Sequence, residues 1–403
     1  MQAAQVHVIG GGLGGLAAAA IVARSGHPVV VHERRGRLGG RATTDERRGY
    51  RFNQGPHALY LDGEAAAVLS DLGIPTPGQT PPTKGTRMVL GGAVHLAPGG
   101  AGSLMRTSIL GVRDKARLAL LMSRLPRLLP GDFAGVTVQE WIADLTDSDR
   151  IRAILHSLVR LTTYTNAPEQ LSAEVAIQQV QLGLGSGVRY LDGGWVRLVD
   201  GLARVVTAHG GEIRRGDGLS ELPDAAAVIV AVGGPAETAA VTGYPYRAGV
   251  AAEAAVLDIA LVHAPTHRFV IGVDQPIYLS DHGSMESMCP PGGASVSLAQ
   301  YLAPGGDPDR ETIAAFAGHA GIASGDVVDE RYLHRMTTVS AIATAASGGL
   351  HGRPRVTVPD RDGVYVVGDW VGSTGHLADA VLASARDAAH AAIVQVSTLR
   401  RVG

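Results

Sequence analysis

Val6-His7-Val8-Ile9-Gly10-Gly11-Gly12-Leu13-Gly14-Gly15-Leu16 decides the fold class of this 403-residue chain. The first four residues are a short apolar run that reads as a buried strand, and glycines 10, 12 and 15 follow the pattern Gly-x-Gly-x-x-Gly. An Ala-rich helix is expected from Leu16 to Ser25, then a second strand from Val29 to His32. Strand, Gly-rich turn, helix and strand make a βαβ unit. Such a turn binds anions: glycine lets the backbone approach a pyrophosphate, while free N–H groups at the helix N-terminus supply partial positive charge. Glu33 ends the second strand, 23 residues after Gly10. There it is placed to accept hydrogen bonds from ribose hydroxyls, and an acid at this point disfavours a 2′-phosphate. A bare glycine pattern is only a strand-to-helix turn. With strand, helix and acid all in place it reads as a dinucleotide site, with Gly10, Gly12, Leu13, Gly14 and Gly15 against the ligand. The motif does not separate a nicotinamide from a flavin dinucleotide.

Beyond this unit the chain leaves the pattern and returns to it. Residues 61–185 carry Pro/Gly-rich connections (Ile74 to Pro82, Pro98 to Gly102) between helical stretches such as Arg113 to Leu129 and Ile151 to Leu161. They read as an inserted, mostly helical region. Ala226 to Val232 is a continuous apolar run suited to a buried parallel strand. Ala255 to Leu261, Arg268 to Val273 and Ser295 to Leu302 read as strands of a second sheet. The last sixty or so residues read as a strand Val364-Tyr365-Val366-Val367, a Gly368-Asp369 turn and an Ala-rich helix from about Asp379. The expected division is a discontinuous dinucleotide domain of residues 1–60, 186–251 and 346–403, with a substrate domain of residues 61–185 and 252–345.

Composition narrows the function classes. A chain this long exceeds what one core usually serves, and 45% hydrophobic with 18% charged residues is ordinary globular composition. A net charge of -2 offers no basic face for nucleic acid, so small molecules are the expected partners. The single cysteine, Cys289, excludes an internal disulfide framework and a Cys-based zinc site, and no metal is expected. The first strand starts almost at Met1, which leaves no room for a secretory signal, and no apolar run reaches the length of a bilayer span. A cytoplasmic location is expected. Residues 106–127 carry Arg106, Arg113, Lys115, Arg117, Arg124 and Arg127 against Asp114, interleaved with Leu and Met. Two readings apply: a helix packing its apolar face inward while solvating its arginines, which is preferred, or a basic amphipathic helix in peripheral contact with an anionic membrane.

The stretch after the βαβ unit separates the two cofactors. Glu33-Arg34-Arg35-Gly36-Arg37-Leu38-Gly39-Gly40-Arg41-Ala42 resembles the second signature of the flavin amine oxidase and phytoene desaturase superfamily. Gly49-Tyr50-Arg51-Phe52-Asn53-Gln54-Gly55-Pro56-His57 resembles the family segment passing the flavin ring, with Asn53 where the family often has an acid. Leu191-Asp192-Gly193-Gly194-Trp195 is similar to the segment re-entering the cofactor domain. Gly363-Val364-Tyr365-Val366-Val367-Gly368-Asp369-Trp370 resembles the C-terminal FAD motif, and the helix Ala380 to Arg386 continues it, with Ala380 and Ala385 where glycines are common.

This resemblance implies an α/β fold, a Rossmann-like FAD-binding domain with a parallel sheet and an inserted α+β substrate domain, the flavin lying at their junction. It implies FAD contacts from Glu33, Arg34, Gly40, Gly55, Pro56, His57, Leu219, Gly368, Leu377 and Ala380, with Arg41 on the pyrophosphate and Asp369 on the ribityl chain. Attachment is expected to be non-covalent. His57 and His376 fall in segments expected to border the ring, and each is a candidate acid, base or hydrogen-bond donor as well as a histidine merely satisfied by its neighbours. Tyr60 and Trp370 are candidate pocket walls. Only Lys84 and Lys115 occur, so the lysine that amine oxidases of the family use near the flavin has no candidate in the later strands. Ser280-Asp281-His282 with Cys289-Pro290-Pro291-Gly292-Gly293 resembles a turn of the phytoene desaturase-like members. The expected function is FAD-dependent dehydrogenation or desaturation of a small-to-medium apolar metabolite by hydride transfer to the flavin. The alternatives are a peroxide-forming amine oxidase, a non-redox flavin isomerase and a flavin-free carrier of the GDP-dissociation-inhibitor type.

Overall fold

The computed structural model describes residues 5–81, 84–283 and 287–402; Met1 and Pro82, named above, lie outside them. Strand β1 (Val6–Ile9), helix α1 (Leu13–Arg24) and strand β2 (Val29–Glu33) form the opening unit. The helix starts three residues before the Leu16 expected. Gly14 and Gly15 lie inside its first turn because of close packing: a Cβ on Gly14 would meet Val367 at 2.7 Å and Val381 at 2.8 Å, and one on Gly15 the Gly10 carbonyl oxygen at 1.9 Å.

The first sheet has five parallel strands in the order Glu212–Arg215, β2, β1, Ala227–Val230, Val364–Val366. In chain order this is 3-2-1-4-5, a Rossmann-like arrangement whose order reverses between β1 and Ala227–Val230. All four residues of Ala227–Val230 are buried: Ala227 and Ile229 face the helices, and Val228 and Val230 pack on Val358, Trp370 and Val371 on the other face. Helix α1 packs on Val196–Ala208 and on the C-terminal helix Leu377–Val402, which starts two residues before the expected Asp379. Alanines 17–20 are fully buried, so short side chains let these helices approach.

A second sheet has seven strands in the order Val327–Val339, Ala252–Leu261, Ala294–Leu302, Ile277–Asp281, Phe269–Gly272, Arg87–Leu90, Ala93–Leu96. Its pairs are antiparallel except Phe269–Gly272 with Arg87–Leu90. The region read as mostly helical thus also feeds two strands into this sheet; short runs between Gly/Pro turns carry little periodicity of their own. Its helices, Val112–Arg124, Val138–Leu145, Asp149–Thr163 and Ala173–Leu184, share an apolar core with Met88, Ala252, Ile271 and Val339 of the sheet. Among the described residues no helix is long and apolar enough to cross a membrane.

Candidate functional site

One cavity of about 1890 Å³ runs from the carboxyl ends of the parallel strands to the second sheet and its helices. Its polar limb begins where the strand order reverses, the place where an open α/β sheet binds ligands. Gly10 holds φ 110° and a Cβ there would meet the Ala231 carbonyl oxygen at 2.3 Å, so the turn demands glycine. Gly12 has no atom within 4 Å of where its Cβ would stand, and it lines the cavity at the start of α1. Glu33 accepts hydrogen bonds from the Gly11 and Arg35 N–H groups, at 2.7 Å each. Held that way, the carboxylate is fixed at the far end of the limb.

Midway along, Arg41 Nη1 lies 2.7 Å from Asp369 Oδ2, and the Ser340 N–H donates to Asp369 Oδ1 at 3.1 Å. Asp369 is buried while Arg41 is half-exposed, which places one fixed and one mobile charge on the same wall. The residues expected on the pyrophosphate and on the ribityl chain therefore meet each other directly.

Of the other expected contacts, Leu13, Gly14, Arg34, Gly40, Pro56, His57, Leu219, Gly368 and Leu377 also line this cavity. Gly15, Gly55, His376 and Ala380 do not form its wall among the described residues. Gly15 lies behind the turn, and Gly55 is packed under Met336 while its carbonyl holds the His57 ring at 2.9 Å. Ala380 is fully buried in the C-terminal helix. His376, also fully buried, bonds the Thr163 carbonyl through Nε2 at 2.8 Å, and its Nδ1 finds no hydrogen-bond partner among the described residues. Burial pushes both His57 and His376 down to about 4, so each is neutral near pH 7. His57 rests against Trp195 with ring centroids 4.7 Å apart. Trp370 turns away from the cavity, donating to the Gly233 carbonyl at 2.9 Å and packing on Tyr246.

Beyond His57 the wall becomes aromatic and then apolar. Tyr60, Tyr164, Tyr190 and Tyr278 face the cavity together with Trp195 and Phe269. The Tyr60 hydroxyl donates to the Thr162 carbonyl at 2.9 Å, the Tyr164 and Tyr278 hydroxyls meet at 2.6 Å, and Tyr190 stacks on His282 at 4.2 Å. Burial raises all four phenols, Tyr164 to about 12, so they remain neutral. Of these only Tyr60 stood out in the sequence; the others come from three separated segments with no common motif. Leu377 and Tyr164 both hold a left-handed backbone, φ 52° and 54°, and both are on the wall. A side chain in that conformation costs of order 1 kcal/mol or more, and such strain gathers at functional sites. Asp379, also unmarked by the sequence reading, lines the cavity with Oδ1 accepting from the Ala65 N–H at 2.8 Å. Its Oδ2 is buried without a partner among the described residues, and burial raises its carboxyl to about 6.

Asn53, which stands where an acid is common, accepts from the Trp195 N–H at 3.0 Å and the Thr44 hydroxyl at 2.8 Å. The amide oxygen alone satisfies both donors, as a carboxylate oxygen would. Cys289 caps its turn, its thiol donating to the Gly293 carbonyl at 3.2 Å.

A family model described as an NAD(P)-binding Rossmann-like domain matches residues 8–72. The chain is 26% identical over 322 residues to a protein of Mycobacterium tuberculosis described as a flavin-containing monoamine oxidase, covering 74% of this chain and 65% of that one. A phytoene desaturase of Cercospora nicotianae is 44% identical over 66 residues, 16% of this chain and 11% of its own. The chain thus spans less than two thirds of the length of these curated relatives. Among solved structures, an oxidoreductase from Methanosarcina mazei has the same fold, with a TM-score of 0.73 at 20% identity over 95% of this chain and 99% of its own.

Proposed function

We propose that this chain, homologous to flavin-containing amine oxidases and phytoene desaturases, is an FAD-dependent oxidoreductase that dehydrogenates or desaturates a small-to-medium apolar metabolite. The observation that carries the reading is the single cavity with a polar limb at the Gly-rich turn and an aromatic and apolar limb beyond His57. Drug-sized ligands occupy roughly 300–1000 Å³. A volume of about 1890 Å³ supports a dinucleotide and a substrate held side by side. The fit of FAD rests on the open edge of Gly12, the fixed Glu33 carboxylate and the Arg41–Asp369 pair.

Gly10, Gly12, Leu13 and Gly14 would hold the pyrophosphate, with Arg41 reaching it by displacement from Asp369. Glu33 and Arg34 would take the adenosine ribose, Leu219 would wall the adenine end, and Gly368 with Asp369 would take the ribityl chain. Pro56, His57 and Leu377 would border the ring. When bound, FAD supplies the hydride acceptor, and the protein provides orientation and a dry chamber. Neutral His57, aimed by the Gly55 carbonyl, is a hydrogen-bonding group in the chamber wall and carries no charge into it. His376 acts at a distance, by fixing Thr163 and the neighbouring Tyr164.

A second reading, oxidation of an amine with release of peroxide, is supported by the four-tyrosine chamber, since aromatic faces hold cations, and by similarity over 74% of the chain to the mycobacterial protein. Against it, neither lysine is part of the cavity wall among the described residues.

The test is the visible spectrum of the purified protein, followed by anaerobic reduction with candidate substrates. The expected protein is yellow, releases flavin on heating and is bleached by an apolar substrate with an activated C–H bond. Peroxide formation across an amine panel would select the second reading, and turnover without any change in flavin absorbance an isomerase. A colourless protein that takes up no added FAD would overturn the proposal in favour of a carrier.

A further inference from the structure

Nine large hydrophobic side chains are exposed among the described residues, and four of them lie in one short stretch: Met105 (74%), Val112 (86%), Leu120 (51%) and Leu129 (67%). The helix Val112–Arg124 explains the pattern. Positions 118, 121 and 122 turn inward, where Leu118 is buried and Leu118 and Met122 line the cavity. Positions 112, 116 and 120, spaced by four, form a second apolar stripe on the opposite, outward face. Arg113, Arg117 and Arg124 flank that stripe on one side and Lys115 on the other. Lys115 donates to the Met105 carbonyl at 2.9 Å, which joins the preceding helix, Ala101–Arg106, to the same face. Only Arg117 of this set is paired, with Asp147; Arg106, Arg113, Arg124 and Arg127 make no ion pair among the described residues. The cavity reaches the surface here as well: exposed Gly100, Ala101, Ala119, Pro126 and Leu184 all belong to its wall.

From this juxtaposition of an outward apolar stripe, unpaired basic residues and the open end of the apolar limb, we propose that the face built on residues 101–129 docks on an anionic lipid bilayer. Apolar residues enter the head-group boundary while the guanidinium groups stay with the phosphates. Docked in this way, the cavity opens onto the membrane, and a lipophilic substrate passes from bilayer to chamber without crossing water. The inference does not depend on the flavin reading, because partition onto vesicles is measured whether or not a cofactor is bound.

The experiment is co-sedimentation of the full chain with vesicles of phosphatidylcholine alone and of phosphatidylcholine with phosphatidylglycerol. Binding is expected only to the anionic vesicles and is expected to weaken with salt. Each basic residue at such a surface accounts for about five-fold in partition. Arg113→Glu with Arg124→Glu should therefore lower binding by more than about twenty-fold. The triple variant Met105→Ser, Val112→Ser, Leu129→Ser should lower it at least about ten-fold. Val262→Ser with Val394→Ser, which removes exposed apolar residues elsewhere, should bind like the parent, and unchanged melting would show that all variants are folded. The proposal is overturned by equal absence of binding to both vesicles, by binding that ignores the substitutions, or by light scattering that shows the face closing a dimer.

Discussion

Gly10 and Gly12 stand in the same turn yet ask different things of the backbone. Gly10 is required by the fold: its positive φ and the Ala231 carbonyl at 2.3 Å leave no room for a side chain. Gly12 has extended dihedrals and open space, so nothing among the described residues needs it to be bare, whereas the proposed pyrophosphate would. Gly10→Ala is expected to destabilise by about 1–3 kcal/mol. Gly12→Val should leave the urea midpoint almost unchanged while flavin occupancy falls at least about ten-fold. Asp369→Ala should also lose flavin, and normal flavin content in both Gly12→Val and Asp369→Ala would contradict the cofactor assignment. The buried histidines set a second expectation. Burial holds His57 and His376 at about 4 and His282 at about 3, against about 6.5 in an unfolded chain. Each takes up its proton on unfolding first, so its contribution is complete above pH 6.5 and is lost as pH falls toward 4, by up to about 1.4 kcal/mol per pH unit. Asp379, raised to about 6, binds its proton in the folded state first and adds stability below pH 6. With His7, His156 and His267 also lowered and Asp258 and Asp281 also raised by burial, the lowered histidines still outnumber the raised carboxyls and predict a lower urea midpoint at pH 5.0 than at pH 7.5; a flat profile would refute it.

Between elements, the junction that places His57 hangs on Arg331. From the strand Val327–Val339 its guanidinium pairs with Asp258 at 2.6 Å and Asp45 at 2.9 Å, and donates to the carbonyls of Phe52 and Asn53. Those partners lie on Ala252–Leu261 and on the hairpin Thr44–Arg47/Tyr50–Asn53, whose end leads directly to Gly55 and His57. Arg331→Leu leaves a buried Asp258 carboxylate without its cation and is expected to cost about 3–5 kcal/mol. Arg331→Leu with Asp258→Leu should recover most of that loss in urea unfolding, because no buried charge is left behind. This element was illegible beforehand. Val327–Val339 shows no regular alternation, buries only Arg331 and Val339, and carries Asp329, Glu330, Arg331 and Arg335, so it becomes a strand only by pairing along Ala252–Leu261. By contrast, β1 and Ala227–Val230 are short apolar runs beside glycine and could be read directly.

For the molecule as a whole, the cavity wall draws on residues from Ile9 to Val381, so its two limbs exist only when both sheets are assembled. A ligand that fills it stabilises the assembly by mass action. FAD at about 100 times its dissociation constant is expected to add about 2.7 kcal/mol, seen as a rise in melting temperature. NAD at the same concentration should give no comparable rise, and neither should FAD added to Gly12→Val. A matching rise with NAD would turn the assignment toward a nicotinamide dinucleotide.

Sequence alone determined what depends on local backbone chemistry: the opening βαβ unit, the glycines whose conformation no other residue tolerates, Glu33 at the end of β2, and the Gly368-Asp369 turn after an apolar strand. Those features are written in neighbouring residues, because strand period, turn geometry and helix start are properties of a few consecutive peptides. Tertiary structure alone decided that Arg41 meets Asp369 across 328 residues of chain, that His376 faces Thr163 instead of the chamber, that four tyrosines share one wall, and that the helix Val112–Arg124 keeps apolar residues on both faces. The reason is that burial and long-range pairing are set by what the chain folds against, and a side chain's neighbours in space leave no trace in its neighbours along the chain.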